Sequence, residues 1–162
     1  MAEPGIEVDV KGLKETQAKM EQIVRDLHGE PMLDALREGT LLVQRSAKIN
    51  APVDVGRLRA SITPEVSVEG TTVQGVVGSN VVYAPYMEFG TGVHAGHSPY
   101  FPPPAALEIW ARRHGTTGFA VAFAIFKAGG LKARKFLQNA LEDNTQRIIE
   151  LIERAVGGIT DK

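Results

Sequence analysis

The sequence predicts an α+β fold: a small antiparallel β-sheet with a hairpin, packed by N-terminal helices and a long C-terminal helix. Three observations predict it. Apolar residues recur at three- and four-residue steps before residue 50 and again after residue 134, the spacing of helices buried along one face. From Leu58 onward apolar and polar residues alternate instead, the period of a strand. Glu69-Gly70-Thr71 then offers a hairpin turn that reverses the chain.

Taken in order, residues 5–10 alternate Ile6, Val8 and Val10 with Glu7 and Asp9, which predicts a short half-buried strand. Leu13, Met20, Val24 and Leu27 form the apolar stripe of a first helix, and His28-Gly29 supplies its stop. Pro31 sits where a first-turn proline is tolerated, and Leu33, Leu36, Thr40, Val43 and Ala47 continue as a second helix that ends before Pro52. Leu58, Ala60, Ile62, Pro64, Val66 and Val68 then share one strand face, against Arg57, Arg59, Ser61, Thr63, Glu65 and Ser67 on the other. Pro64 has no N–H to give a ladder, so the strand lies at an edge or bulges there. A second strand runs over about 72–78, and Gly78-Ser79-Asn80 breaks it before Val81-Val82-Tyr83. Residues 90–104, ending in Pro102-Pro103-Pro104, predict an extended loop. Residues 105–113 read as a short helix and 118–128 as a more buried one, with Gly129-Gly130 as a break. From Arg134 a last helix carries Leu137, Leu141, Asn144, Ile148, Ile152 and Ala155 along one stripe.

Composition narrows the class. With 162 residues, 43% hydrophobic and 23% charged, the chain fits a single domain able to bury its own core. It has no cysteine, which removes disulfide scaffolds, thiolate metal sites and cysteine nucleophiles. Lys+Arg 18 against Asp+Glu 19 gives a net charge of -1, so the whole molecule has no global pull toward nucleic acid or acidic lipid. The polar start, Met1-Ala2-Glu3-Pro4-Gly5, lacks the pattern of a signal peptide, and a cytoplasmic protein is expected. The longest apolar run, 119–126, falls short of the roughly 20 residues of a spanning helix and reads as core or packing surface.

Candidate residues fall in three groups. Pro52, Asp54, Gly56 and Arg57 form a corner: the proline ends a helix, the aspartate can accept from a following backbone N–H, and the glycine permits a sharp change of direction. Tyr83, Tyr86 and Phe89 make an aromatic cluster expected to pack under the loop that Gly90-Thr91-Gly92 begins. Glu88 is the only acid between Glu69 and Glu108, with no partner acid for acid–base work, so it reads as an ion pair with Arg57 or Arg59, or as a subunit contact. His94, His97 and His114 match no standard metal spacing. No phosphate loop and no nucleophile elbow is present, so neither catalytic residue, metal nor cofactor is expected. Finally, Arg112, Arg113, Lys127, Lys132, Arg134 and Lys135 occupy a stretch free of acids, either a solvated face or a surface for DNA or a partner.

Three segments in this order also resemble a known family: residues 50–62 (NAPVDVGRLRASI), 77–92 (VGSNVVYAPYMEFGTG) and 135–141 (KFLQNAL). Together they are similar to the neck or tail-completion proteins of lambda-type and HK-type siphophages, whose pattern is APVDTGxLRxSI, then a hairpin leading to YAxxxEFGT, then PFLxPAL. The resemblance covers roughly residue 33 to the C-terminus. It departs at Val55, where a small polar residue is usual, and at Lys135 and Gln138-Asn139, where prolines are usual. A segment of about 93–131 resembles an insert of longer family members. The resemblance implies a structural virion protein of the head–tail neck, made in the host cytoplasm, that forms a homo-oligomeric ring. Its partners would be copies of itself and neighbouring connector and tail proteins, with non-specific contact to packaged DNA and none to membrane. Tyr83, Tyr86, Glu88, Phe89, Gly90, His94, His97 and Tyr100 would be interface candidates. The six basic residues would line a lumen or meet a partner. A tail-terminator or head-closure role is the alternative within this frame. A DNA-binding or regulatory module using residues 112–135 is the alternative outside it, and a hydrolase is a distant third.

Overall fold

The computed structural model describes residues 11–70 and 72–160, and the expected strand at 5–10 lies outside them. The first helix, α1 (Lys11–Leu27), ends at the anticipated His28-Gly29 break, and α2 (Glu30–Asn50) follows with its proline in the first turn. A short helix, α3 (Arg57–Ser61), precedes the hairpin of β1 (Ile62–Glu69) and β2 (Thr72–Ser79). Next come α4 (Ala84–Phe89), a 3₁₀ turn at Gly92–Ala95, α5 (Pro104–Arg113), α6 (Gly118–Lys127) and the long α7 (Phe136–Thr160). The fold is α+β.

α2 and α7 make the most extensive packing in the molecule. They run antiparallel: Asn144 Nδ2 donates to Ser46 Oγ at 2.8 Å, and further along Gly39 approaches Ile148 so closely that an added Cβ would lie 3.3 Å from it. The hairpin lies on α2, where Gln44 Nε2 donates to the Ile62 carbonyl at 2.8 Å. Its register is unbroken from Ile62↔Ser79 to Glu69↔Thr72, so Pro64 sits opposite Val77 in an edge strand without a bulge.

Two elements differ from the expectation. The strand begins at Ile62 rather than Leu58, because residues 57–61 coil into α3. Leu58 and Ile62 are also four residues apart, so the same letters satisfy a helical turn. Gly56 at φ 77 caps that turn, accepting from Ala60 N–H at 2.9 Å. The aromatic segment 84–89 is helical, with Pro85 in its first turn and Gly90 closing it at φ 77.

The core gathers Val43, Ala47 and Ala51 with Leu58, Ile62, Val81, Ala84, Phe136 and Ala140. Seven of these nine come from the three family-like segments: Ala51, Leu58 and Ile62 from the first, Val81 and Ala84 from the second, Phe136 and Ala140 from the third. Phe136 and Ile62 are the largest side chains wholly removed from water. Those segments are therefore, first of all, the places where the chain closes on itself.

Candidate functional site

The second segment and the start of α7 are joined by a clasp of main-chain bonds. The Arg134 and Lys135 N–H groups donate to the Met87 and Glu88 carbonyls at 2.8 and 3.1 Å. Thr91 N–H donates to the Leu131 carbonyl at 2.9 Å, Val93 N–H to the Gly129 carbonyl at 2.7 Å, and Leu131 N–H to Thr91 Oγ1 at 2.8 Å. So close an approach requires glycine: a Cβ on Gly92 would sit 2.1 Å from the Gly129 oxygen, and one on Gly90 2.6 Å from the Leu131 oxygen.

Glu88 lies at the centre of this clasp, 4% exposed. Its Oε2 accepts from Leu137 N–H and its Oε1 from Gln138 N–H, both at 2.9 Å. These are first-turn donors of α7, which have no partner inside the helix, and a carboxylate there also meets the positive end of the helix dipole. The expected ion pair with Arg57 or Arg59 is thus replaced by a helix cap supplied from another element. Glu88 and Gly90 are buried within the chain and present no surface to a partner.

The other candidates separate. Tyr83, Tyr86 and Phe89 recur at three-residue steps and are exposed rather than packed under the loop. His94, His97 and Tyr100 are exposed as well. His94 Nε2 lies 3.2 Å from the Ala128 carbonyl and shares with Met87, Lys132 and Arg134 the wall of an open cleft of about 540 Å³ beside the clasp. Among the described residues no group of three His, Asp or Glu side chains could hold a metal ion. No helix among them is long and apolar enough to cross a membrane.

At the corner, Pro52 follows the end of α2 and Gly56 caps α3, with Arg57 exposed at its first position. Asp54 makes no helix cap. Its carboxylate instead pairs with Arg113, and His114 Nε2 lies 3.9 Å away. The corner thereby ties down the far end of α5. Of the six basic candidates, Arg113 is engaged there and Arg112 pairs with Glu108 at 3.0 Å. Lys127, Lys132, Arg134 and Lys135 are exposed.

α5 and α6 form a helical hairpin whose packing is mainly internal; neither lies extensively on another helix or strand. Glu108 fastens it. Its Oε2 accepts from Gly118 N–H at 2.8 Å, where α6 begins, and its Oε1 from Arg112. That backbone bond, then the Arg112 guanidinium, hold its carboxyl below the ordinary glutamate range. α6 was expected to be buried, yet only Gly118 and Ala122 are, and Phe119, Phe123 and Phe126 face solvent.

Sequence reasoning missed Glu108, the clasp and α4. Pro85 and Gly90 bracketing a six-residue stretch are the start and stop signals that could have found α4. Nothing local pointed to the Glu88 cap, since its partners lie 49 and 50 residues away.

Residues 14–90 match the family model described as "Bacteriophage HK97-gp10, putative tail-component". The match takes in the first family-like segment and nearly all of the second, and stops at the clasp glycine Gly90. The resemblance seen in the sequence is borne out over that region; the insert and the α7 segment lie beyond it. No curated protein and no solved structure matches.

Proposed function

We propose that this chain, similar over residues 14–90 to a phage tail-component family, works without catalysis as a ring-forming part of the head–tail neck that joins or completes head and tail. The observation that carries the reading is the order of the three family-like segments, two of them in or almost wholly in the matched region and all three meeting in one core. A ring subunit needs a rigid body and separate surfaces for its neighbours. The clasp supports the first requirement and the exposed α4 aromatics and α5–α6 hairpin the second. Within such a ring, Lys132, Arg134 and Lys135 would give non-specific contact to passing DNA, a purely electrostatic role. The reading as an isolated DNA-binding module is weakened because Arg112 and Arg113 are engaged in ion pairs.

Immunogold labelling of intact virions tests the placement. Label confined to the head–tail junction is expected. Label along the tail tube, or only on unassembled protein, would contradict it. Negative-stain images of the purified chain should show closed rings, and a monomer that retards DNA would favour the binding module instead.

A further inference from the structure

The geometry points to a docking contact between copies of this chain, in which the outer face of α6 in one copy packs on the outward face of α7 in the next. The inference rests on the ring-forming reading above and supplies the contact that reading lacks. Phe119, Phe123 and Lys127 fall at four-residue steps on α6, one stripe of the helix, and all three are exposed. Phe101 extends the stripe into a patch, its ring 6.0 Å from that of Phe119 and 5.9 Å from that of Phe126, while Phe119 and Phe123 stack at 6.5 Å. Phe101, Phe119, Phe123 and Phe126 are 39, 63, 51 and 43% exposed. At about 200 Å² per phenylalanine the patch offers roughly 400 Å² of aromatic surface. That is about half of the ~800 Å² that one side of a standard interface buries, and it falls in the size range of functional patches.

Charge selects the acceptor. Residues 109–141 hold six basic residues and no acid, out of 18 basic and 19 acidic in the whole chain, so this stretch carries +6 and the remainder -7. Packing one α6 patch on another would bring two such basic, acid-free stretches together, and like charges facing each other are unfavourable. The outward face of α7 is complementary. Glu142, Ile149 and Glu153 recur there at seven- and four-residue steps, exposed and opposite the buried Phe136, Ala140 and Leu151, with exposed Leu141 on the flank. The outer face of the hairpin also carries acids, Glu65 and Glu69, but only Val76 as a large apolar residue. Within one chain α6 and α7 do not pack extensively together, and the side chains named on each face are exposed. Donor and acceptor are different surfaces, which makes the contact head-to-tail and able to close a ring.

Sedimentation velocity and native mass spectrometry on the full purified chain test this. The wild type should self-associate. Phe119→Ser with Phe123→Ser should weaken association roughly 100-fold. Lys127→Glu should weaken it roughly 10-fold, and the charge-swapped double variant Lys127→Glu/Glu153→Lys should recover to within about threefold. These positions are exposed, so far-ultraviolet circular dichroism should be unchanged in each variant. Assemblies undiminished in the phenylalanine variant would overturn the docking and leave the ring reading standing. A wild type that stays monomeric at every concentration would overturn both. A Lys127→Glu loss that the swap fails to recover would overturn α7 as the acceptor.

Discussion

Phe136 and Phe123 are the same residue a short distance apart in the chain, and they meet opposite environments. Phe136, at the start of α7, has no exposure at all, closed in by the core that the three family-like segments build. Phe123, on α6, keeps half of its surface in water. Apolar letters therefore meet two environments here, one inside the core and one on the exposed face of the α5–α6 hairpin. What separates them is the neighbourhood: α7 is held by the Glu88 cap and antiparallel packing on α2, whereas α6 has α5 as its main support.

The sharpest way to break the comparison is to truncate both rings. Phe136→Ala should cost roughly 4 kcal/mol by leaving a cavity, while Phe123→Ala should change urea-unfolding stability by less than about 0.5 kcal/mol. Equal losses would show that α6 is core after all. Next in size is the cap. Glu88→Gln keeps one acceptor but turns an amide NH₂ toward an α7 N–H, so a loss of roughly 2 kcal/mol is expected in the same assay. A neutral outcome would mean that the α7 donors find other partners.

Two smaller effects probe how the hairpin is tethered. Asp54→Ala removes the pair with Arg113, which is partly exposed on both sides, so the stability loss should stay near 0.5 kcal/mol. Amide exchange across 104–127 should nevertheless quicken, and unchanged exchange would show that the corner does not hold α5. The Glu108 tether should depend on pH. Its carboxyl is held down, first by the Gly118 N–H and then by Arg112, so its contribution is complete above the ordinary value of 4.5 and is lost as pH falls through the lower folded value. The melting-temperature gap between wild type and Glu108→Gln should accordingly be present at neutral pH and close in stronger acid. A gap independent of pH would refute the assignment.

How legible the molecule was in its sequence follows the same division. Helices α1, α2, α5 and α7 and the hairpin announce themselves through periodicity and punctuation, all within a few residues of chain. The first residues assigned to the strand went instead to α3, because Leu58 and Ile62 fit either period. On α7 the buried positions are Phe136, Ala140, Leu151 and Ile159, a stripe shifted from the expected one that leaves Leu141 exposed. The clasp was illegible since it depends on two glycine-containing segments meeting across some 40 residues. The Glu88 pairing was misread for a related reason: a lone acid suggests a cation, and backbone N–H groups carry no letter of their own. The exposure of α6 was hidden because an apolar run reads alike whether it lies in a core or on an exposed helix face.

Hydrogen–deuterium exchange on the monomeric and assembled forms of the chain tests the division most directly. Residues 86–93 and 129–138 should be strongly protected to the same extent in both forms, and residues 118–127, more weakly protected in the monomer, should gain further protection on assembly. Exchange of 118–127 unchanged by assembly, or slower there than in the clasp of the monomer, would contradict the claim that the clasp makes the body and α6 makes the contact.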